Sequence, residues 1–307
     1  MRWLVLPLIL ALATAASAEN KLYFGVKGNH RDWTAISGDK PKELANTPYL
    51  QKVYELATEP EFHAYLLREL QRTPGNVWIT LVDDTLVGAH KVWPHASGRQ
   101  FLISESWFTK YERARGPQAT RGLLAHELAH TQDEAHSQHG AYGLDGIHSR
   151  TEVITQRAAM IEGWANYQAL RFSPWQESAY RWEHLADRTK QEDHEIKAKY
   201  HKHHLGTFED WMRVEAGVTR VLHALGTKTP GGREAISAAF DATNDGKVRT
   251  LPRMLREMAA KNPTLGVKYA TLVDGATDYT ATNDELIDLF GEGGRTYVRD
   301  WRKLQKP

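Results

Sequence analysis

A chain of 307 residues is long enough for one large domain or for two closely packed lobes sharing a cleft. Its 41% hydrophobic and 25% charged residues are ordinary globular usage, which excludes wholesale disorder and a fibrous repeat. Lys and Arg total 39 against 38 Asp and Glu, so overall charge points to neither a nucleic-acid nor an anionic-membrane partner.

The first eighteen residues stand apart. Arg2 precedes the apolar run Trp3 to Leu12, and Ala16, Ser17 and Ala18 give the small-residue spacing that a signal peptidase accepts. The run is too short for a bilayer core of about 30 Å. Residues 1–18 therefore read as a signal peptide, and the expected location is periplasmic or extracellular, with Glu19 first in the mature chain. Loss of this leader removes Arg2 and no acid, bringing acidic and basic side chains to parity, and no later segment approaches membrane-spanning length. With no cysteine, an exported form has no disulfide, and any metal must be held by nitrogen and oxygen ligands.

Further along, Tyr49, Val53, Leu56, Phe62, Leu66 and Leu70 recur at helical spacing, and Pro60 divides that stretch into two helices. Past the turn Thr73 to Asn76, Val77 to Val82 is rich in β-branched residues and reads as a strand. Gln100 to Ser104 reads as its neighbour in a small sheet, with an edge to which an extended peptide could add main-chain hydrogen bonds. Gly116-Pro117 breaks the chain and opens a helix from Gln118 to about Asp133. After a loop over 137–149, Thr151 to Phe172 is a second helix. The segments Ser178 to Leu205, Phe208 to Leu225, Glu234 to Phe240, Leu251 to Ala260 and Asp284 to Phe290 continue as mostly helical. The expected class is α+β, with an α+β lobe over 19–150 and a mainly helical lobe over 151–307.

His126-Glu127-Leu128-Ala129-His130 carries the chemistry. Two histidines four apart share one helix face, so both imidazoles can hold a single ion at about 2.0 to 2.1 Å. Glu127 is turned about 100° around the helix, beside the ion, where it can take a proton from water that the metal acidifies. Leu123, Leu124 and Leu128 supply an apolar stripe; a merely solvated polar face is the bland alternative. Catalysis needs a third protein ligand and an open position. Glu162, on the second helix, can approach across a helix pair, with Gly163 suited to close packing. Asn166, one turn on, can support a histidine from behind. His136 and Glu152 are the rival third ligands.

The motif at 126–130, followed by Glu162-Gly163-Trp164-Ala165-Asn166-Tyr167, resembles the gluzincin metallopeptidases, in whose aminopeptidases a similar Glu-Gly-aromatic-Ala-x-Tyr string supplies the third ligand. The resemblance covers the two motif helices and the strands before them. It implies a zincin-like fold, a zinc ion held by His126, His130 and Glu162, Glu127 as general base, and hydrolysis of a peptide or protein substrate. The metzincin pattern is also similar and would put its third histidine at His136 and its methionine at Met160, but Asp133 stands where that pattern has glycine. If the helix continues, His136 is rotated about 280° from His126 and faces away. A non-catalytic exported metal-binding or interaction protein on the same scaffold is the competing class.

Tyr167 and His223 are candidates for stabilising a developing oxyanion. Asp241 to Val248 follows the first eight positions of a calcium loop, but Pro252 replaces the bidentate Glu, so a simple Asn-Asp-Gly turn is the competing reading. His201, His203 and His204 point to different helix faces among lysines and read as solvated surface.

Overall fold

The computed structural model describes residues 22–26, 34–35, 48–73, 75–82, 95–97, 100–104, 116–132, 154–172, 206–245 and 247–305. The candidate signal peptide at 1–18, the loop at 137–149, the segment at 178–205 apart from its neighbours, His136, Glu152 and the histidines at 201, 203 and 204 lie outside them. The class is α+β: a small mixed sheet followed by a largely helical chain.

Five strands, β1 (Leu22–Val26), β2 (Thr34–Ala35), β3 (Val77–Val82), β4 (His95–Ser97) and β5 (Gln100–Ser104), form one sheet in the order β2-β1-β3-β5-β4. β3 runs parallel to β1 and β5, while β2 and β4 add antiparallel at the two edges. The strands expected at Val77 and Gln100 are present and paired, Trp78 with Gln100 through Val82 with Ser104. The expected edge at Gln100 to Ser104 is corrected over Gln100 to Leu102, where β5 pairs with β3 on one side and with the three-residue border strand β4 on the other. So short a strand carries no alternation to be read in sequence.

Helices α1 (Pro48–Ala57) and α2 (Pro60–Leu70) flank the break at Pro60, which takes the first helical position where its missing N–H costs nothing. Helix α3 (Pro117–Thr131) starts in the same way behind Gly116, whose φ of 79° favours glycine. Helix α4 (Gln156–Leu170) is capped by Thr155, whose hydroxyl accepts from the Ala158 N–H. Then come α5 (Phe208–Met212), α6 (Glu215–Lys228), α7 (Gly232–Ala242), α8 (Leu251–Lys261), α9 (Gly266–Ala276) and α10 (Asn283–Phe290), with α11 (Glu292–Thr296), a π-helical turn at Tyr297–Trp301 and α12 (Arg302–Gln305) closing the described chain. The segment Phe208 to Leu225, expected to be mostly helical, holds two helices, α5 and the greater part of α6. Arg213 and Val214 separate α5 from α6, and at Gly217 a Cβ would stand only 2.3 Å from the Trp211 carbonyl oxygen.

Two hydrophobic clusters meet at α3. Leu124, Ala125 and Leu128 pack with Leu22, Val53, Phe62, Leu66 and Ile79 beneath the sheet and α1–α2. Ala129 belongs to the second cluster, which runs through Trp164, Ala165, Val218 and Leu222 into the C-terminal helices. Among the described residues no helix is long and apolar enough to cross a membrane.

Candidate metal centre

The centre is assembled by two helices packed against each other, α3 and α4. On α3 the histidines at 126 and 130 fall one turn apart, with their Nε2 atoms 3.0 Å apart and their rings edge to face at 84°. From α4, the Glu162 carboxylate oxygen Oε2 lies 3.6 Å from His126 Nε2 and 3.4 Å from His130 Nε2. Among the described residues, this is the group of three His, Asp or Glu side chains whose ligand atoms converge.

Buried polar ties fix the two helices. The Trp164 indole N–H donates to Gln132 Oε1 at 2.9 Å, and Gln132 Nε2 donates to the Glu69 carbonyl at 3.0 Å, joining α4, the end of α3 and α2. Tyr65 donates to Gln168 Oε1 at 3.1 Å, a second tie between α2 and α4. Within the low-dielectric interior each such bond adds about 0.5 to 1.5 kcal/mol and restricts the relative position of the elements it joins. On its other side α4 packs against α6, and Gly163 permits it: a Cβ there would stand 2.5 Å from Val218 Cβ and Cγ1. The expectation of close packing beside Glu162 is met at this contact.

Electrostatics favour positive charge at His130. Burial opposes protonation of His130, but the Glu162 carboxylate, by its charge and by a hydrogen bond, together with the charges of Glu127 and Glu215, outweighs this. The His130 imidazole is pushed up to about 9 as a result. A divalent cation would use the same field. The donor set of two imidazole nitrogens and one carboxylate oxygen suits such an ion. In a tetrahedral zinc site with bonds of about 2.0 to 2.1 Å the donors stand about 3.3 Å apart, close to the three separations found here.

Glu127 directly follows the ligand candidate His126 on α3, is buried at 3% exposure and is not one of the converging ligands. Asn166 does not support a histidine directly as expected: its Nδ2 donates to Glu215 Oε1, and Glu215 is 4% exposed at the start of α6. Sequence reading missed Glu215, which no motif flags, since 49 residues separate it from Asn166.

Other candidates lie elsewhere. The Tyr167 ring is core: its hydroxyl abuts Gly226, and burial pushes the phenol up to about 12. Gly226 is eleven residues beyond Glu215, about 16 Å along α6. His223, on the same helix, is outside the converging group. Met160 is wholly buried inside α4 rather than in a turn. Asp241 pairs with Arg72 at 3.1 Å and Asp245 with Arg253 at 2.9 Å. Comparison of the chain with known protein families, with characterised proteins and with solved structures gives no match.

Proposed function

We propose that the chain is an exported zinc metallopeptidase of gluzincin type, in which an α+β lobe over 19–150 and a mainly helical lobe over 151–307 flank a zinc ion held by His126, His130 and Glu162. The observation that carries this reading is the convergence of those three side chains, with the buried Glu127 next to the first of them. Two imidazoles and a carboxylate leave a fourth, open position, the ligand count of a catalytic rather than a structural zinc site. Export rests on the leader-like sequence at 1–18.

When bound, zinc would supply Lewis acidity, polarising a scissile carbonyl and making water a better acid. The remaining work falls to the protein. Glu127 takes the proton from the attacking water and delivers it to the departing amine, a relay that suits a carboxylate close to the ligands but not among them. His126 and His130, fixed on one face of α3, and Glu162, fixed by the packing of α4, keep the donor set in place through the reaction. An extended peptide could lie along the short border strand β4, beside which α3 packs.

The test uses the mature chain, residues 19–307, and its Glu127→Gln variant. Both are expected to bind zinc. The wild type is expected to cleave a peptide library, and the variant to lose about 10² to 10⁴-fold in kcat/KM, the usual range for a general base. Zinc binding without turnover by either chain would instead mean a metal-holding protein on this scaffold. A wild-type chain that binds no divalent cation would end the proposal.

A further inference from the structure

We infer that Gln132 is a positioning residue of the metal centre: its hydrogen bond with Trp164 sets the register of α4 against α3, and with it the distance of the Glu162 carboxylate from the two histidines. This rests on the metal-binding reading above and adds to it two residues that are not ligands.

Placement carries the inference. Gln132 caps α3 two residues after His130, and Trp164 follows Glu162 by two residues on α4, so each end of the bond starts about 3 Å along a helix axis from a ligand. Both residues are buried, each at 1% exposure. An indole N–H can only donate, so the carboxamide must turn Oε1 towards it, and does so at 2.9 Å. That leaves Nε2 to donate to the Glu69 carbonyl at 3.0 Å and to Glu69 Oε2 at 3.3 Å, which fixes the amide at its other end. The indole is held as well. Its ring stacks on Phe240 of α7, with centroids 4.0 Å apart and planes at 13°, and the Arg249 guanidinium lies 3.8 Å over the Phe240 ring. Neither partner can follow the other if α4 slides along α3.

Such a bond has two uses. It satisfies buried polar groups, which stabilises the fold with or without a metal. It also opposes translation of one helix along the other, and specifying register is the best-attested use of a buried polar group. Gln132 has the second use as well as the first, because the apolar contact beside it sets register weakly. Ala129 of α3 shares its cluster with Ala158, Ala159 and Ala165 of α4, and side chains this short interlock little. On its far side α4 is fixed to α6, where a Cβ on Gly163 would meet the Glu215 carbonyl oxygen at 3.1 Å as well as Val218, but that contact does not tie it to α3.

The experiment measures zinc dissociation constants by competition with a chromophoric chelator, and the melting temperature of each metal-stripped chain. The chains are wild type, Trp164→Phe, Gln132→Met, the double variant and, as a control, Tyr65→Phe. Trp164→Phe keeps a ring against Phe240 but loses the N–H. It is expected to weaken zinc binding about 3 to 10-fold, the range set by one buried hydrogen bond. Gln132→Met is of similar length, loses both bonds and should weaken zinc binding at least as much. Adding Trp164→Phe to it should cost no further affinity, because the shared bond is already gone. Tyr65→Phe removes a buried hydrogen bond to Gln168, six residues from Glu162, and should lower the melting temperature while binding zinc as wild type does. Zinc binding by Trp164→Phe within twofold of wild type overturns the inference, whatever its melting temperature. So do additive losses in the double variant, or an equal weakening in Tyr65→Phe, which would mean a general loosening of the interface. If Gln132→Met does not fold, Trp164→Phe and Tyr65→Phe decide the matter by the same criteria. A wild type that binds no zinc overturns the metal reading itself, and is told apart from these outcomes because it fails before any substitution is made.

Discussion

Two parts of the molecule gather acids and bases at motif spacing, and they end in different chemistry. Between α3 and α4, Glu162 faces two imidazoles at 3.6 and 3.4 Å. At the end of α7 Asp241 accepts from Arg72, and in the loop after it Asp245 accepts from Arg253. An imidazole can surrender its proton and offer a lone pair to a cation, whereas a guanidinium stays charged at every ordinary pH and keeps its carboxylate. The first arrangement is therefore open to exchange of a proton for a metal, and the second is closed to it. Convergence of acidic residues is not enough; the partner that already faces the acid decides what else can bind.

Removing the acid from the first region should give the largest effect. Glu162→Ala is expected to weaken zinc binding by more than about 100-fold, because loss of a direct ligand exceeds the 10 to 100-fold cost of losing an outer partner. Part of that loss is offset near neutral pH, since the variant also lowers the proton affinity of His130 and so weakens the competitor. Chelator competition measures it, and an affinity within tenfold of wild type would break the contrast between the two regions.

Titration sharpens the same contrast. With the His130 imidazole raised from 6.5 to about 9, the metal-stripped chain carries a proton there at neutral pH that a cation must displace. Apparent zinc affinity should rise about tenfold per pH unit for that one proton up to about pH 9 and then level off. Stability of the stripped chain has the opposite sign. The raised value contributes stability that is fully present below about pH 6.5 and is lost as pH rises through about 9. Affinity titrations and denaturation curves over that window test both signs, and a zinc affinity that does not change with pH would remove the proton from the competition.

Much of this centre was legible because it depends on spacing within helices. His126 and His130 at four residues, the stripe of Leu124 and Leu128, and the helix around Glu162 are all periodic signals that survive without tertiary information. The pairing of β3 with β5 was legible for a similar reason, since both are short runs with a strand composition. What escaped depends on contacts distant in sequence. β2 and β4 have two and three residues and exist as strands only through their partners, which is why β5 was misplaced as an edge. Glu215 looks like any helix-opening acid until α6 is laid on α4, and the partner of Asn166 was invisible for that reason. The break between α5 and α6 depends on Gly217 lying under the Trp211 carbonyl, a tertiary reason that no local signal carries.

The contact at Gly163 gives an intermediate effect. Gly163→Ala forces a methyl group to within 2.5 Å of Val218 side-chain atoms, and overpacking of this kind costs about 1 to 3 kcal/mol. Denaturant unfolding should show the loss, and Val218→Ala in the same chain should recover part of it by opening the space. Equal losses in the single and double variants would mean that the strain lies in the backbone contact with Glu215 instead.

The smallest effect is expected from calcium. Arg253 donates to the Val248 carbonyl at 3.0 Å and to both oxygens of Asp245, while Arg249 donates to Thr243 Oγ1 at 3.2 Å and lies 3.8 Å over the Phe240 ring. Groups that a calcium loop would turn to the ion are here turned to arginine. Calcium should leave the melting temperature unchanged, whereas zinc at a free concentration of 100 times its Kd should stabilise the chain by about 2.7 kcal/mol through binding linkage. Arg253→Ala releases Asp245 but leaves Pro252 where a bidentate Glu is needed, so the variant should gain no calcium affinity either. Stabilisation of either chain by millimolar calcium would show that guanidinium partners do not close the loop, and the distinction between the two regions would have to rest on something other than the partner of the acid.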